Sequence, residues 1–219
     1  METGQSLNGT EMDWHRSALV IIDMQHDFVQ PDGASPIAGT DDIVDRLAQL
    51  ADVFRKHGRP VIHIVRLYAT DGSNVDLCRR AQIRNGLRVV PPYSEGAGIV
   101  SALLPDGIPQ PDADLLMSGA AVPLGRLDTA FYKPRWGAFY QTQLHDFLHL
   151  QGVDSLVIAG CNFPNCPRTT IYEASERDYR LAIVPDLLSG IYEKGISELR
   201  NIGVNMMTAP QIEDALTTL

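Results

Sequence analysis

Several features are scarce in this chain, and each scarcity excludes a class of protein. No apolar run approaches the roughly 20 residues that cross a bilayer, and ALVII at 18–22 is too short. The chain has three cysteines, an odd number without zinc-finger spacing, which argues against a disulfide framework and for a reducing cytoplasm. It has 18 basic and 27 acidic residues, and its net charge of -9 disfavours nucleic acid and anionic membranes as partners.

Four runs of consecutive apolar residues predict buried strands, at 18–23, 61–66, 155–160 and 181–186, and weaker candidates lie at 129–133 and 205–209. Runs without alternation are typical of a parallel sheet that is covered on both faces. Helical patterns separate these runs, and Gly58, Gly152 and Gly203 stand where a left-handed glycine ends a helix. The alternation predicts an α/β fold with a doubly wound parallel sheet and helices on both faces.

The chain length fits one large domain. We assign residues 16–219 to it and residues 1–15 to a loosely held N-terminal tail. The stretch 68–128 has too many turn-forming residues for a compact strand–helix unit. We interpret this stretch as an excursion over the top of the sheet, which covers a site or forms an interface.

Three chemically reactive side chains follow predicted strands. Asp23 ends the first strand, Lys133 ends the strand at 129–133, and Cys166 comes shortly after the strand at 155–160. Because ligands bind beyond the carboxyl ends of parallel strands, these side chains are expected at one rim. Pro167 suits the first helical position, which makes Cys166 the N-cap and predicts a lowered thiol pKa. Taken singly, the three also fit a capping Asp, a surface Lys and a buried Cys.

Three segments carry a family resemblance: ALVIIDMQHDF, FYKPRWGAFYQTQL and VIAGCNFPNCPRTTIYEASERDYRLAIVPD. They resemble the signature blocks of the isochorismatase-like cysteine hydrolases, in order and spacing, from about residue 16 to 215. The resemblance implies a Rossmann-like six-stranded parallel sheet, a homo-oligomer (dimer or tetramer), and a catalytic triad of Asp23, Lys133 and Cys166. It also implies a cis peptide at Cys161–Asn162, which turns the backbone N–H groups of Asn162 and Cys166 into an oxyanion hole.

The chain departs from the family pattern beside the thiol. Phe163 and Pro164 stand where the family usually has Thr and Asp or Asn, and Pro167 replaces a valine. The substrate therefore cannot be inherited from a familiar relative. The signature blocks and the segment after the second strand supply candidate substrate-binding residues, unless these cover the sheet or an oligomer interface: Phe28, Arg66, Tyr68, Trp136, Phe139 and Phe163.

No metal or other cofactor is predicted. Nicotinamidases of this superfamily bind a metal through an Asp-x-His motif and further histidines, whereas the corresponding segment here contains only His63. The segment HDFLH at 145–149 superficially resembles a zinc-protease motif, but it lacks the Glu and a third ligand.

The sequence predicts a metal-independent cysteine hydrolase that cleaves a C–N bond of a small carboxamide, ureido compound or lactam through a thioester. The lactam option includes the streptothricin-hydrolase type. Two alternatives stay open: an isochorismatase-type vinyl-ether hydrolase, and a non-catalytic thiol-sensing or binding protein on the same scaffold.

Overall fold

The structure is a computed structural model that describes residues 9–219, and its centre is one seven-stranded sheet. The strands are β1 (Ser17–Ile22), β2 (Val61–Val65), β3 (Val122–Pro123), β4 (Asp128–Tyr132), β5 (Ser155–Gly160), β6 (Arg180–Leu188) and β7 (Asn205–Met206). Their order across the sheet is β3-β4-β2-β1-β5-β6-β7.

Helices cover both faces of this sheet. In the described chain they are α1 (His26–Val29), α2 (Val44–Lys56), α3 (Leu77–Arg84), α4 (Ala113–Met117), α5 (Leu144–Leu150), α6 (Cys166–Ser175), α7 (Glu193–Asn201) and α8 (Ala209–Thr217). Short 3-10 turns lie at 14–16, 41–43, 95–97 and 101–103.

The predicted fold class is confirmed, with one more strand than expected. The six strands β4-β2-β1-β5-β6-β7 are parallel, and their chain order follows the Rossmann-like pattern 3-2-1-4-5-6. The seventh strand, β3, pairs antiparallel with β4 at the edge of the sheet. It is two residues long, and a strand this short leaves no periodic pattern in the sequence.

Two hydrophobic cores lie on opposite faces of the sheet. Along β1, Leu19 and Ile21 enter the first core, while Ala18, Val20 and Ile22 enter the second. Helices α2 and α8 cover the first face, and α5, α6 and α7 cover the second. Because each strand residue meets a helix layer, the whole strand is apolar, as its sequence indicated.

Three predicted helix ends have the expected geometry. Gly58, Gly152 and Gly203 have φ values of 69°, 69° and 82°. Only glycine adopts this left-handed conformation without a steric cost, so these positions end α2, α5 and α7 and turn the chain back into the sheet.

The excursion lies over the carboxyl ends of the central strands. Gln25, just after β1, forms an isolated antiparallel bridge with Ile99. Its side-chain Nε2 donates to the carbonyl oxygens of Arg66 (2.8 Å) and Ala97 (2.7 Å). One buried amide therefore joins β1, the end of β2 and the excursion around the rim where the site is expected.

The N-terminal segment differs in part from the predicted loose tail. Residues 1–8 lie outside the described part of the chain. Within residues 9–15, Met12 is buried in the first core, and the Asp13 N–H donates to Ser155 Oγ at 3.0 Å. Residues 9–15 thus pack against the domain, because an apolar side chain and a strand hydroxyl hold them there.

In the described chain, no helix combines the length and the apolar character that crossing a bilayer requires.

Candidate active site

The backbone of the sheet brings two of the predicted catalytic residues to one edge. The Asp23 N–H donates to Ile64 O at 2.9 Å, and the Lys133 N–H donates to Val65 O at 3.0 Å. Strands β1 and β4 flank β2, so these bonds continue the pairing beyond both strand ends. Strand β5, on the other side of β1, leads into α6, which begins at Cys166.

The side chains of Asp23, Lys133 and Cys166 meet at the ammonium group of Lys133. Its Nζ lies 2.9 Å from Asp23 Oδ2 and 3.2 Å from Cys166 Sγ. A third, longer bond of 3.4 Å reaches the Arg135 carbonyl oxygen. Lys133 is 0% exposed. A buried ammonium group must use all three donors, and here they join the carboxylate, the thiol and one backbone oxygen.

Asp23 adopts an uncommon backbone conformation. Its φ is 53°, in the left-handed region where Asp is one of the few tolerated residues besides Gly. The carboxylate is buried, and its Oδ1 atom receives no hydrogen bond from the described chain. This oxygen is available as a proton acceptor next to the thiol.

The pKa of the Cys166 thiol is raised, which corrects the sequence prediction of a lowered pKa. Burial raises the pKa of this thiol to about 12, and the charge of Asp23 adds to the rise, while Lys133 opposes it. Burial lowers the pKa of Lys133, but the charges of Asp23 and Cys166 outweigh burial, so its pKa is raised.

The position of Cys166 in its helix is shifted by one residue from the prediction. Cys166 is the first residue of α6 and Pro167 the second, while Asn165 occupies the N-cap without a side-chain capping bond. Proline is tolerated at both positions because the first N–H groups of a helix have no intrahelical partner. The backbone N–H of Cys166 is one of these groups.

The Cys161–Asn162 peptide bond is trans, so the prediction of a cis bond at this position is wrong. A trans bond is the ordinary state, since the cis form of a non-proline peptide costs about 3–4 kcal/mol. The chain turns at Gly160 instead, with φ 113°. A Cβ atom at this glycine would overlap the Ile22 carbonyl oxygen of β1. Gly160 therefore lets the loop before the thiol lie directly on the first strand.

The predicted oxyanion donors have no backbone partner. Within the described residues, the N–H groups of Asn162 and Cys166 donate to no backbone carbonyl. Both residues line the same cavity as Asp23. The resemblance tied these donors to a cis bond that the structure lacks, so the oxyanion hole stays a prediction.

A narrow cavity of about 20 Å³ lies against the thiol. A volume of this size is enough for ordered water beside the thiol. Four of the six predicted substrate-binding residues line it: Phe28, Arg66, Tyr68 and Trp136.

The structure does not bring Phe139 and Phe163 to the cavity. Phe139 is buried against Tyr179, with a ring separation of 5.6 Å. Phe163 is 0% exposed and lies in the second core, 5.4 Å from the Tyr192 ring. The departure from the family pattern at Phe163 therefore fills a space beneath the thiol loop in this structure.

Arg66 lines the cavity, but its guanidinium is held by protein groups. It donates to the Lys133 carbonyl oxygen at 2.7 Å and forms a buried ion pair with Asp76. Asp76 also accepts a bond from the Tyr68 hydroxyl at 3.2 Å. These contacts fix the rim of the cavity and leave Arg66 few donors for a ligand.

Sequence reasoning missed five further residues of the cavity wall: Ile37, Asp76, Arg79, Cys161 and Asn165. Asp76 and Arg79 come from the excursion, at the start of α3. The two charged residues could not be recognised as part of the site from the sequence, because nothing in the turn-rich segment around them indicates that α3 reaches the thiol.

No cluster of three or more possible metal-binding side chains occurs in residues 9–219. His63 is buried in β2, where its Nε2 lies 2.8 Å from Asp128 Oδ2. His145 and His149 are exposed on α5, and each directly follows one of the buried residues Leu144 and Leu148.

The fold and the site define an α/β protein with a buried Asp–Lys–Cys cluster at the carboxyl edge of a doubly wound sheet. The model of the isochorismatase domain family matches residues 17–211. The chain belongs to this family, the isochorismatase-like hydrolases.

Similar proteins differ in their named activities. A protein of Arabidopsis thaliana named "probable inactive nicotinamidase" is 32% identical over 208 residues, which cover 93% of this chain and 97% of that protein. A maleamate amidohydrolase of Pseudomonas putida is 23% identical and covers 77% and 70%, respectively. The crystal structure of an isochorismatase family protein from Desulfovibrio vulgaris matches with a TM-score of 0.78 and 30% identity, over 92% of this chain and 98% of that one.

Proposed function

We propose that this protein hydrolyses a C–N bond of a small amide-type molecule, with Cys166 as the nucleophile and a thioester intermediate. The observation that carries the proposal is the position of Lys133 Nζ, within 3.2 Å of both Asp23 Oδ2 and Cys166 Sγ in a buried cavity. The maleamate amidohydrolase among the relatives supports an amide substrate.

The charges of the cluster explain how a thiol with a high pKa can react. With Asp23 and Lys133 ionised and Cys166 neutral, the cluster has no net charge. Transfer of the thiol proton to Asp23 gives a neutral acid, an ammonium group and a thiolate, and the net charge is still zero. The cost of a second buried anion, which raises the pKa of the resting thiol, is thereby avoided.

The thiolate then attacks the carbonyl carbon of the amide, and a C–S bond forms. The backbone N–H groups of Asn162 and Cys166 stabilise the oxyanion, and each such donor typically contributes about 3 kcal/mol to the transition state. The proton on Asp23 passes to the leaving nitrogen as the C–N bond breaks. Asp23 next removes a proton from water, which hydrolyses the thioester and restores the thiol.

Three other functions are less well supported. The Arabidopsis relative is named as an inactive nicotinamidase, and nicotinamide hydrolysis is not part of our proposal. A thiol sensor needs an accessible sulfur of low pKa, whereas the pKa of Cys166 is raised by burial. The vinyl-ether alternative needs no nucleophilic cysteine, and nothing in the site favours it.

A substrate panel tests the proposal. Carboxamides, ureido compounds and lactams are incubated with the protein, and release of ammonia or amine is measured. Cys166→Ala is expected to abolish release, and Asp23→Asn to reduce it by orders of magnitude. Cys78→Ala is the matched control, because it removes a free thiol that is exposed and does not line the cavity. Equal release by the wild type and Cys166→Ala would refute the proposal.

A further inference from the structure

The cavity beside Cys166 contains more cationic than anionic groups. Three cations reach it, Arg66, Arg79 and Lys133, against two carboxylates, Asp23 and Asp76. Apart from the thiol, these side chains sum to one positive charge, in a chain whose total charge is -9.

The surplus cation can be identified from the contacts. Lys133 is paired with Asp23, and Arg66 is paired with Asp76. In the described residues, no carboxylate lies within ion-pair distance of Arg79. Its one hydrogen bond goes to the Tyr68 hydroxyl, at 3.2 Å, so most of its five donors have no partner there.

Arg79 is also held in a defined orientation. Its guanidinium carbon lies 5.2 Å from the centre of the Trp136 ring, and the side chain is half-buried. Stacking on an aromatic face leaves the edge of a guanidinium free to bind a planar anion through two parallel bonds. The same cavity wall contains Arg79 and Cys166.

We propose that Arg79 binds a carboxylate of the substrate and that the site selects amides which carry an anionic group close to the bond that is cleaved. Because Arg79 and Cys166 line the same cavity, the carboxylate and the amide of the substrate are separated by only a few bonds. The hydrolytic half of this inference rests on the proposed function. The anion-binding half concerns Arg79 alone and can be tested without turnover.

The first experiment compares alkylation of Cys166 by iodoacetate and by iodoacetamide. Both reagents form the same C–S bond and release iodide, but only iodoacetate carries a carboxylate. A Cys78→Ser background removes the exposed thiol, and peptide mass spectrometry follows Cys166. In Arg79→Gln, the ratio of the iodoacetate rate to the iodoacetamide rate is expected to fall about tenfold or more.

Two variants show whether this effect is specific. Arg79→Lys keeps the charge and is expected to retain part of the preference for iodoacetate. Arg84→Gln removes the same charge from an exposed position on α3 and is expected to leave the ratio unchanged. An unchanged ratio in Arg79→Gln, or an equal fall in Arg84→Gln, would overturn the assignment of Arg79.

The second experiment compares the monoamide of a short dicarboxylic acid with the corresponding diamide. For the monoamide, Arg79→Gln is expected to raise KM about ten- to hundredfold, with a smaller effect on kcat. For the diamide, KM is expected to change little. Equal effects on both amides would overturn the role of Arg79 but leave the hydrolase standing. If neither amide is cleaved while the alkylation ratio still depends on Arg79, the proposed function fails and the anion site stands.

Discussion

The buried pair of Lys133 and Asp23 allows a quantitative prediction of stability. Lys133→Met leaves the Asp23 carboxylate buried without a cation. Removal of one partner of a buried ion pair typically costs about 3–5 kcal/mol. For a domain of this size, each kcal/mol corresponds to roughly 2–4 °C in Tm, so a fall of about 10 °C is expected.

A double-mutant cycle separates this electrostatic effect from other losses. Asp23→Asn removes the charge, and Asn tolerates the φ of 53° that Asp23 adopts. The double variant contains neither charge and is expected to be more stable than the sum of the single changes predicts, by about 2 kcal/mol or more. Urea denaturation followed by circular dichroism measures the four free energies of unfolding.

The exposed pair of Arg46 and Asp186, 2.7 Å apart, is the control for this cycle. Exposed pairs are worth at most about 1 kcal/mol, so the changes Arg46→Met and Asp186→Asn are expected to be small and additive. Additive losses at Lys133 and Asp23 would refute the reasoning, because they would mean that the two charges do not interact in the folded protein.

Three further predictions follow from the surroundings of the thiol. Gly160→Ala is expected to cost more than about 2 kcal/mol, since the new Cβ overlaps Ile22 O at a φ of 113°. Gly195→Ala is expected to destabilise the wild-type protein, because the new Cβ would lie 2.5 Å from the Phe163 ring. In the Phe163→Thr variant, which lacks this ring, Gly195→Ala is expected to be stabilising, because alanine has a higher helix propensity than glycine. Stability is expected to fall as pH rises from about 9 towards 12, because the pKa of Cys166 is raised by folding from 9.0 to about 12 and the unfolded thiol ionises first.

Each of these three has a matched control. Gly58→Ala meets no atom within 4 Å and is expected to cost only the roughly 1–2 kcal/mol of a left-handed residue. A penalty at Gly195 that persists in Phe163→Thr would show that the ring is not its cause. For the pH profile, Cys166→Ala is expected to flatten the decline in part, because the buried Cys161 also has a pKa raised to about 12. If the fall in stability with rising pH persists when both Cys161 and Cys166 are replaced by alanine, the two thiols are not its cause.

The meeting of Asp23 and Lys133 at one edge of the sheet could be predicted from the sequence, because it depends on strands that are easy to recognise. Asp23 and Lys133 each follow an apolar run, and parallel strands bring their carboxyl ends to one rim. The ends of α2, α5 and α7 could also be predicted, because the left-handed φ at a helix end favours glycine.

The electrostatics of the site could not be predicted in this way. The pKa of Cys166 depends on burial and on the distance to Asp23, and neither quantity appears in a linear motif. For the same reason, the sequence pointed to Arg66 as a substrate contact, whereas that side chain is paired with Asp76. Arg79 was missed because α3 reaches the cavity through contacts between distant parts of the chain.

Mass spectrometry of a rapidly quenched reaction, on the intact protein and then on its proteolytic peptides, tests the central claim most directly. With a substrate amide, we expect a mass increase equal to the acyl fragment, after loss of the amine, on the peptide that contains Cys166. The adduct is expected to be labile to hydroxylamine and absent in Asp23→Asn. Substrate cleavage at full rate with an unmodified sulfur, or an adduct that forms equally well without the Asp23 carboxylate, would contradict the account.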